Sequence, residues 1–271
     1  MSVKKVDISR RYGFIETRLY WGGGLTADEL AQAFGVSRQA AQTTINNYKT
    51  AYPENIWTDR QARQQAPGLG FEAAYIRTGS SVFLDYLRGQ SLVGHYAEDR
   101  DWSELPCCDV GQYTRPKLVD TSVRALILAL YRCQTVDVYY QSKKQRQHWL
   151  VSPNHLVFAD NRYHIRAYVH DLKTYIDLVL TRFLQVEPGP VDTWVSDYGD
   201  TAWHESEILH FAPNPDLPAE TRAALALDFG LDGRRPYQVR CTQALSYYVK
   251  RHMGRLHPES GLPFWREVAP A

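Results

Sequence analysis

The run "LTADELAQAFGVSRQAAQTTINNYKT", residues 25–50, limits the possible folds more than any other stretch. Thr26 followed three residues later by Glu29 is a capping box, in which side chain and backbone satisfy each other at a helix start. Leu30, Ala31 and Phe34 give that helix one apolar side. Gly35–Val36 makes a tight turn, and Ser37 is a second N-cap. Ala41, Ile45 and Tyr48 then recur at i, i+4 and i+7, so the next helix buries one face. Upstream, "RRYGFIETRLYW" sets Tyr12, Ile15 and Leu19 on one helical face, and "GGG" at 22–24 ends that helix. The pattern predicts three helices joined by short turns.

The outward face of the third helix carries Gln39, Gln42, Thr43, Asn46 and Asn47, with Ser37 and Arg38 at its N-terminal flank. A solvated helix in an ordinary three-helix module mixes Glu with Lys, whereas this face has amides, hydroxyls and no acid. Gln and Asn pair bidentately with adenine, and Arg with guanine, in a major groove. A helix, a glycine turn and a second helix with such a face predict a helix-turn-helix that reads double-stranded operator DNA. The following "ENIWTDRQARQQ" predicts a wing, with Arg60 and Arg63 reaching backbone phosphates.

At 271 residues the chain exceeds one small core, and two or three domains are expected. Its longest apolar run, "ALILALY" at 125–131, is too short to span a bilayer, and "MSVKKVDISRR" has no apolar core of a signal peptide. No membrane association and a cytoplasmic location are therefore expected. Cys107, Cys108, Cys133 and Cys241 lack CxxC spacing and read as reduced thiols rather than zinc ligands. "GGGL" at 22–25 lacks the Lys-Ser/Thr of a phosphate-binding loop, GxSxG is absent, and no acidic cluster suggests a metal nuclease. His204 and His210 have the wrong spacing for a metal pair. No enzyme, cofactor, catalytic residue or metal site is expected.

Charge is unevenly spread. Residues 1–65 carry nine Lys or Arg against six Asp or Glu, and residues 140–185 carry seven against three. Two basic segments predict two anion-binding regions. The second holds "NRYHIRAYVHD". Tyr163, Ile165, Ala167 and Val169 alternate with His164, Arg166, Tyr168 and His170, giving a strand with an apolar face and a basic, aromatic face without acid. "TVDVYYQS" and "HWLVSPNHLVF" read as further strands, Asp160–Asn161 as a hairpin turn, and "KTYIDLVLTRFLQVEP" as the end of the sheet. Arg166 and Arg182 suit one shared anion, with His155 and His164 as extra donors, Ser152 and Tyr139 as hydroxyl contacts, and Tyr168 as a base-stacking ring.

Pro153, Leu156, the aromatic triplet ending before Arg166-Ala167-Tyr168, and "LVLTRF" with Arg182 together resemble a WYL domain, here with Tyr163-His164-Ile165 in place of Trp-Tyr-Leu. With "FIETRLYWGGGLTADELAQAFGVSRQAAQTTINNYKTAYPENI", the chain is similar almost throughout to the BrxR/CapW group of repressors found beside phage-defence islands. The resemblance implies an α+β multidomain protein. It has a winged helix-turn-helix (residues 1–95), a linker (96–119), a central Sm-like β-barrel sensor with a leading helix (120–190) and a small α+β C-terminal dimerisation domain (191–271). It also implies a homodimeric repressor on an inverted repeat, relieved by an anionic effector such as a nucleotide, oligonucleotide or single-stranded nucleic acid. A second reading is an accessory protein that binds single-stranded nucleic acid and modulates a defence effector.

Between the wing and the linker, residues 80–88 read as a helix packing through Val82, Leu84 and Leu87. "DTSVRALILALYRCQ" reads as a helix capped by Asp120 or Thr121, its apolar side formed by Leu126, Ile127, Leu130 and Tyr131. In the last segment, "EILHFAP" reads as a strand, "PAETRAALALDFG" as a helix packing through Leu225 and Leu227, and "YQVRCTQALSYYVKRHMG" as strand then helix.

Overall fold

Local sequence chemistry sets the first three helices in place. The structure, a computed structural model, describes residues 3–87, 110–114, 116–232 and 235–269. Helix α1 (Val3–Tyr20) is followed by α2 (Ala27–Phe34), whose capping box between Thr26 and Glu29 is complete. Gly35 ends α2 with a left-handed φ of 62°, and the Ser37 hydroxyl caps α3 (Arg38–Ala51). Ile15, Leu19, Leu30, Ala41, Ile45 and Tyr48 interlock as the core of this region. Each Ile or Leu side chain so buried contributes about 1.5–3 kcal/mol. Strands β1 (Ile56–Asp59) and β2 (Gln64–Pro67) form the expected antiparallel hairpin, with Ile56 opposite Pro67 and Asp59 opposite Gln64. Leu25 adds a single bridge to Gln65, so the turn after α1 is tied to the hairpin.

A buried carboxylate holds this region together. Glu16 of α1 is fully buried and accepts the backbone N–H groups of Ala74 (3.0 Å), Tyr75 (2.7 Å) and Ile76 (3.1 Å). The Tyr48 hydroxyl of α3 donates to the same carboxylate at 3.1 Å, and the Asn55 amide donates to Tyr48 at 3.0 Å. Asn55 also donates to the Glu72 carbonyl at 2.7 Å and accepts the Glu72 N–H at 2.9 Å. The segment 72–76 is thereby fastened to α1 and α3 without regular secondary structure of its own.

Helix α4 (Ser80–Leu87) follows, then α5 (Val110–Tyr113) and α6 (Asp120–Arg132). The linker expected at 96–119 falls largely outside the described residues, as do Cys107 and Cys108. α4 buries Phe83 and Leu84, not Leu87, which is exposed. Phe83 stacks on Trp21 with ring centroids 4.4 Å apart. α6 buries Val123, Leu126 and Ile127, while Tyr131, expected inside, is exposed. Asp120 does not cap α6. Its carboxylate instead accepts the backbone N–H and hydroxyl of Ser80, joining the starts of α6 and α4.

Strands β3 (Val136–Gln141), β4 (Arg146–Ala159), β5 (Arg162–Val169), β6 (Thr174–Val179) and β7 (Phe183–Pro188) form one sheet in the order β6-β5-β4-β3-β7. β3 is antiparallel to β4 from Val136–Val151 to Gln141–Arg146, and to β7 on its other side. Pro153 lies on β4 beyond the last pair with β3, where a missing N–H costs no bond to that neighbour. Asp160 (φ 51°) and Asn161 (φ 58°) turn β4 into β5, the left-handed pair that a two-residue hairpin requires. The resemblance to a WYL domain implies an Sm-like barrel here, and such closure is not seen among the described residues. β6 and β7 are the two ends of the sheet, and no pairing joins them among those residues.

Helix α7 (Thr201–His204), β8 (Ser206–Pro213), α8 (Ala219–Asp228), β9 (Tyr237–Thr242), α9 (Gln243–Met253) and β10 (Trp265–Glu267) complete the chain. The three strands pair in the order β10-β8-β9 around Leu209, Phe211, Met253 and Trp265, with Leu225 packed alongside and Leu227 exposed. Two compact units result. One comprises residues 1–155 and 165–195, the other residues 156–164 and 196–271. The second unit therefore includes the tip of the β4–β5 hairpin.

Replacing Glu16 strands its donors in the interior. We expect Glu16→Ala to destabilise the first unit by about 2–3 kcal/mol, read as a lowered urea midpoint. An unchanged midpoint would show that segment 72–76 is held by other contacts.

Candidate nucleic-acid interface

Helix α3 presents the side chains the sequence singled out. Ser37, Arg38, Gln39, Gln42, Thr43, Asn46 and Asn47 are all exposed, while Ala41, Ile45 and Tyr48 face the core. The Gln42 amide donates to Asn46 Oδ1 at 3.0 Å, so the two amides one turn apart are pre-aligned. Thr43 donates to the Gln39 carbonyl at 3.0 Å. Arg38 pairs with Asp28 at 3.0 Å, but both side chains are about three-quarters exposed (76% and 70%). An ion pair that exposed is worth ~0–1 kcal/mol and yields readily to a phosphate.

The hairpin is fixed to this helix by a short polar chain. Lys49 of α3 donates to the Thr58 hydroxyl at 3.0 Å, and Thr58 donates to the Gln65 side chain at 3.1 Å. At the tip, Asp59 accepts the N–H groups of Gln61 and Ala62, and Arg63 takes a left-handed φ of 56°. Arg60 and Arg63 are exposed there. Sequence reasoning passed over Lys49 and Trp57. Strand alternation is the signal that places Trp57 outward, opposite in sense to buried Ile56. It is 50% exposed and donates to the Pro67 carbonyl at 3.1 Å.

The basic strand face of β5 differs from its sequence reading. Arg166 is buried, and its guanidinium donates to Asp177 of β6 at 3.2 Å. The acid absent from β5 is thus supplied by the neighbouring strand. Arg182 lies beside the Tyr140 hydroxyl, which also accepts the Val179 N–H at 3.0 Å. Burial raises the Tyr140 pKa, and Val179 and Arg182 oppose that rise. The two arginines expected on one anion therefore have separate partners. Ser152 is fully buried, 2.8 Å from His170 Nε2, and accepts the Val195 N–H at 3.1 Å. Tyr168 meets His170 and Tyr175 edge-on at 5.1 Å, and Tyr139 stacks on His148 at 4.6 Å. His155 is half-buried. His164 is buried in the other unit, its ring 5.3 Å from that of Tyr248.

No group of three or more potential metal ligands occurs among the described residues. No helix among them is long and apolar enough to cross a membrane.

The winged helix-turn-helix domain of the BrxR transcriptional regulators matches residues 7–89. The C-terminal dimerization domain of the same regulators matches residues 207–262. The chain is 28% identical over 244 residues to the DNA-binding transcriptional repressor CapW of Pseudomonas aeruginosa, covering 89% of this chain and 80% of that protein. To CapW of Escherichia coli it is 28% identical over 246 residues, with 89% and 80% covered. To CapW of Stenotrophomonas maltophilia it is 26% identical over 261 residues, with 90% and 82% covered.

Two expectations follow for the sheet. Asp177→Ala leaves the buried Arg166 charge without its carboxylate and should cost about 3 kcal/mol in chemical denaturation. A loss under about 1 kcal/mol would mean water reaches the guanidinium. Burial also lowers the His170 pKa below 6.5, with Asp171 opposing. The unfolded chain then binds that proton more tightly. The stability from neutral His170 is full above about pH 6.5 and falls as the pH drops below it. The stability gap between the wild type and His170→Asn should therefore narrow on acidification from pH 8 to 5. A constant gap would refute it.

Proposed function

We propose that the chain is a winged-helix transcriptional regulator of the BrxR/CapW type, a DNA-binding repressor acting as a homodimer. The observation that carries this reading is the exposed, acid-free face of α3, with Gln42 and Asn46 pre-aligned by their own hydrogen bond. In a major groove, Gln39, Gln42, Thr43, Asn46 and Asn47 meet base edges, and Ser37, Arg38, Arg60 and Arg63 meet phosphates. Two copies, joined through the region around residues 207–262, read an inverted repeat, as two-fold symmetry requires. The operator lies beside genes of a phage-defence system in the cytoplasm.

The five-stranded sheet is the proposed sensor. An anionic effector, a nucleotide or single-stranded nucleic acid, would take Arg166 from Asp177, with Arg182, Ser152, Tyr139, Tyr168 and His155 of the same unit as the further contacts. Such an effector acts by competition with a carboxylate already in place, so its binding free energy includes breaking that pair.

Footprinting and gel shifts on the DNA upstream of the protein's own gene test the proposal. A protected inverted repeat is expected. Gln42→Ala and Asn46→Ala should each weaken binding by about 1–3 kcal/mol and relax base preference locally. Arg63→Ala should weaken all sequences alike and lower the salt slope by about 1. Absence of duplex protection, with tight single-strand binding lost in Arg166→Ala, would instead favour the accessory-protein reading.

A further inference from the structure

Helix α6 has two working faces. Val123, Leu126 and Ile127 are buried on one, and the helix packs against β7 of the five-stranded sheet. Arg124, Leu128, Tyr131 and Arg132 lie on a different face, at i, i+4, i+7 and i+8. That second face meets the end of α1 and the glycine turn after it. Arg124 Nε donates to the Tyr20 carbonyl at 3.0 Å, and its guanidinium lies 4.2 Å over the Tyr20 ring. Tyr131 lies 5.5 Å from the Arg18 guanidinium, which also pairs with Glu29 of α2. The Arg132 guanidinium occupies the space where a side chain at Gly23 would stand, and Leu128 comes within 3.1 Å of it. Gly23 has a φ of 71°, which favours glycine.

The same turn reaches the wing. Leu25 and Gln65 exchange both backbone hydrogen bonds, at 2.9 and 2.8 Å. A side chain at Gly24 would stand 2.5 Å from the Gln64 amide. From Gln65 the polar chain continues through Thr58 to Lys49 of α3. α6, the glycine turn, the wing and the recognition helix are therefore in unbroken contact. Gly23 lets α6, and Gly24 lets Gln64, approach the turn closely.

We propose that Arg124, Leu128 and Arg132 of α6 are positioning residues that set the wing relative to the α3 reading face through the Gly22–Gly24 turn. The proposal rests on the DNA-binding reading for its consequence, but not for its mechanics. A shift of α6 on β7 would move the turn, and the Leu25–Gln65 bridge would carry that shift to Arg60 and Arg63. None of the three positioning residues belongs to the proposed DNA or effector contacts.

The test uses full-length protein carrying Arg132→Ala, Leu128→Ala and, as a conservative control, Arg132→Lys. Amide exchange is measured on the free protein, and operator affinity across a salt series. Arg132→Ala and Leu128→Ala should speed exchange at the Leu25 and Gln65 amides while leaving the thermal midpoint of the α3 region in place. Operator affinity should fall about three- to tenfold, with a salt slope smaller by about 1 as wing phosphate contacts disengage. Arg132→Lys should restore most of both. Unchanged exchange at Leu25 and Gln65 overturns the inference whatever the protein does with DNA. Faster exchange with unaltered operator affinity and slope overturns the positioning role. If the unaltered protein binds no duplex while exchange responds as expected, the DNA-binding reading fails and the mechanical link is upheld.

Discussion

The Glu16 carboxylate is the constraint on which the first unit depends. It is fully buried, and burial raises its pKa, while three backbone N–H groups and the Tyr48 hydroxyl pull it down. Such a group is tolerated only where the surrounding donors are already in place. Here it ties α1, α3 and an irregular segment together. Helix α3 is therefore held from its buried side by a polar contact with a defined geometry, as well as by apolar packing. Apolar packing alone tolerates small slides. A hydroxyl donating to a carboxylate that three backbone N–H groups also address does not.

The surface built on this foundation has little of its own to hold it. Arg38 and Asp28 form an exposed pair, Gln42 and Asn46 bond across one turn, and the hairpin leans on Lys49 through Thr58. These exposed contacts are weak and replaceable. Rigidity lies beneath the surface and adaptability upon it. The sheet shows the reverse arrangement. Arg166 is inside and paired with Asp177, half-buried Arg182 is set beside Tyr140, and an anion there must displace an existing partner.

The sequence was legible where causes are local. Thr26 and Glu29, Gly35, Ser37, and the Asp160–Asn161 turn act over two to four residues, and each is found as expected. The exposed set on α3 follows from the buried triplet at helical spacing. Glu16 drew no notice because its backbone donors lie 58 to 60 residues away and the Tyr48 hydroxyl 32. Asp177 escaped because strand pairing, not sequence adjacency, brings it to Arg166. Barrel closure rested on the family resemblance alone, for a related reason. Strand composition says which segments pair but not whether the two outer ones meet. Tyr131 and Leu227, apolar by type and placed inside by periodicity, are outside because each helix has a narrower buried face than its composition suggests.

The β4–β5 hairpin carries one consequence for how such a protein changes over evolution. Nine residues at its tip, 156–164, belong to the second compact unit, whose remaining residues begin at 196. Phe158 and Ala159 share a cavity of about 550 Å³ with Phe229, Tyr237, Tyr248 and Met253. The terminal domain is thus incomplete when excised as a contiguous stretch of gene. Recombination that grafts a foreign tail after residue 195 would join it to a hairpin tip shaped for another core. Tail and hairpin are bound to be inherited, and to diverge, together.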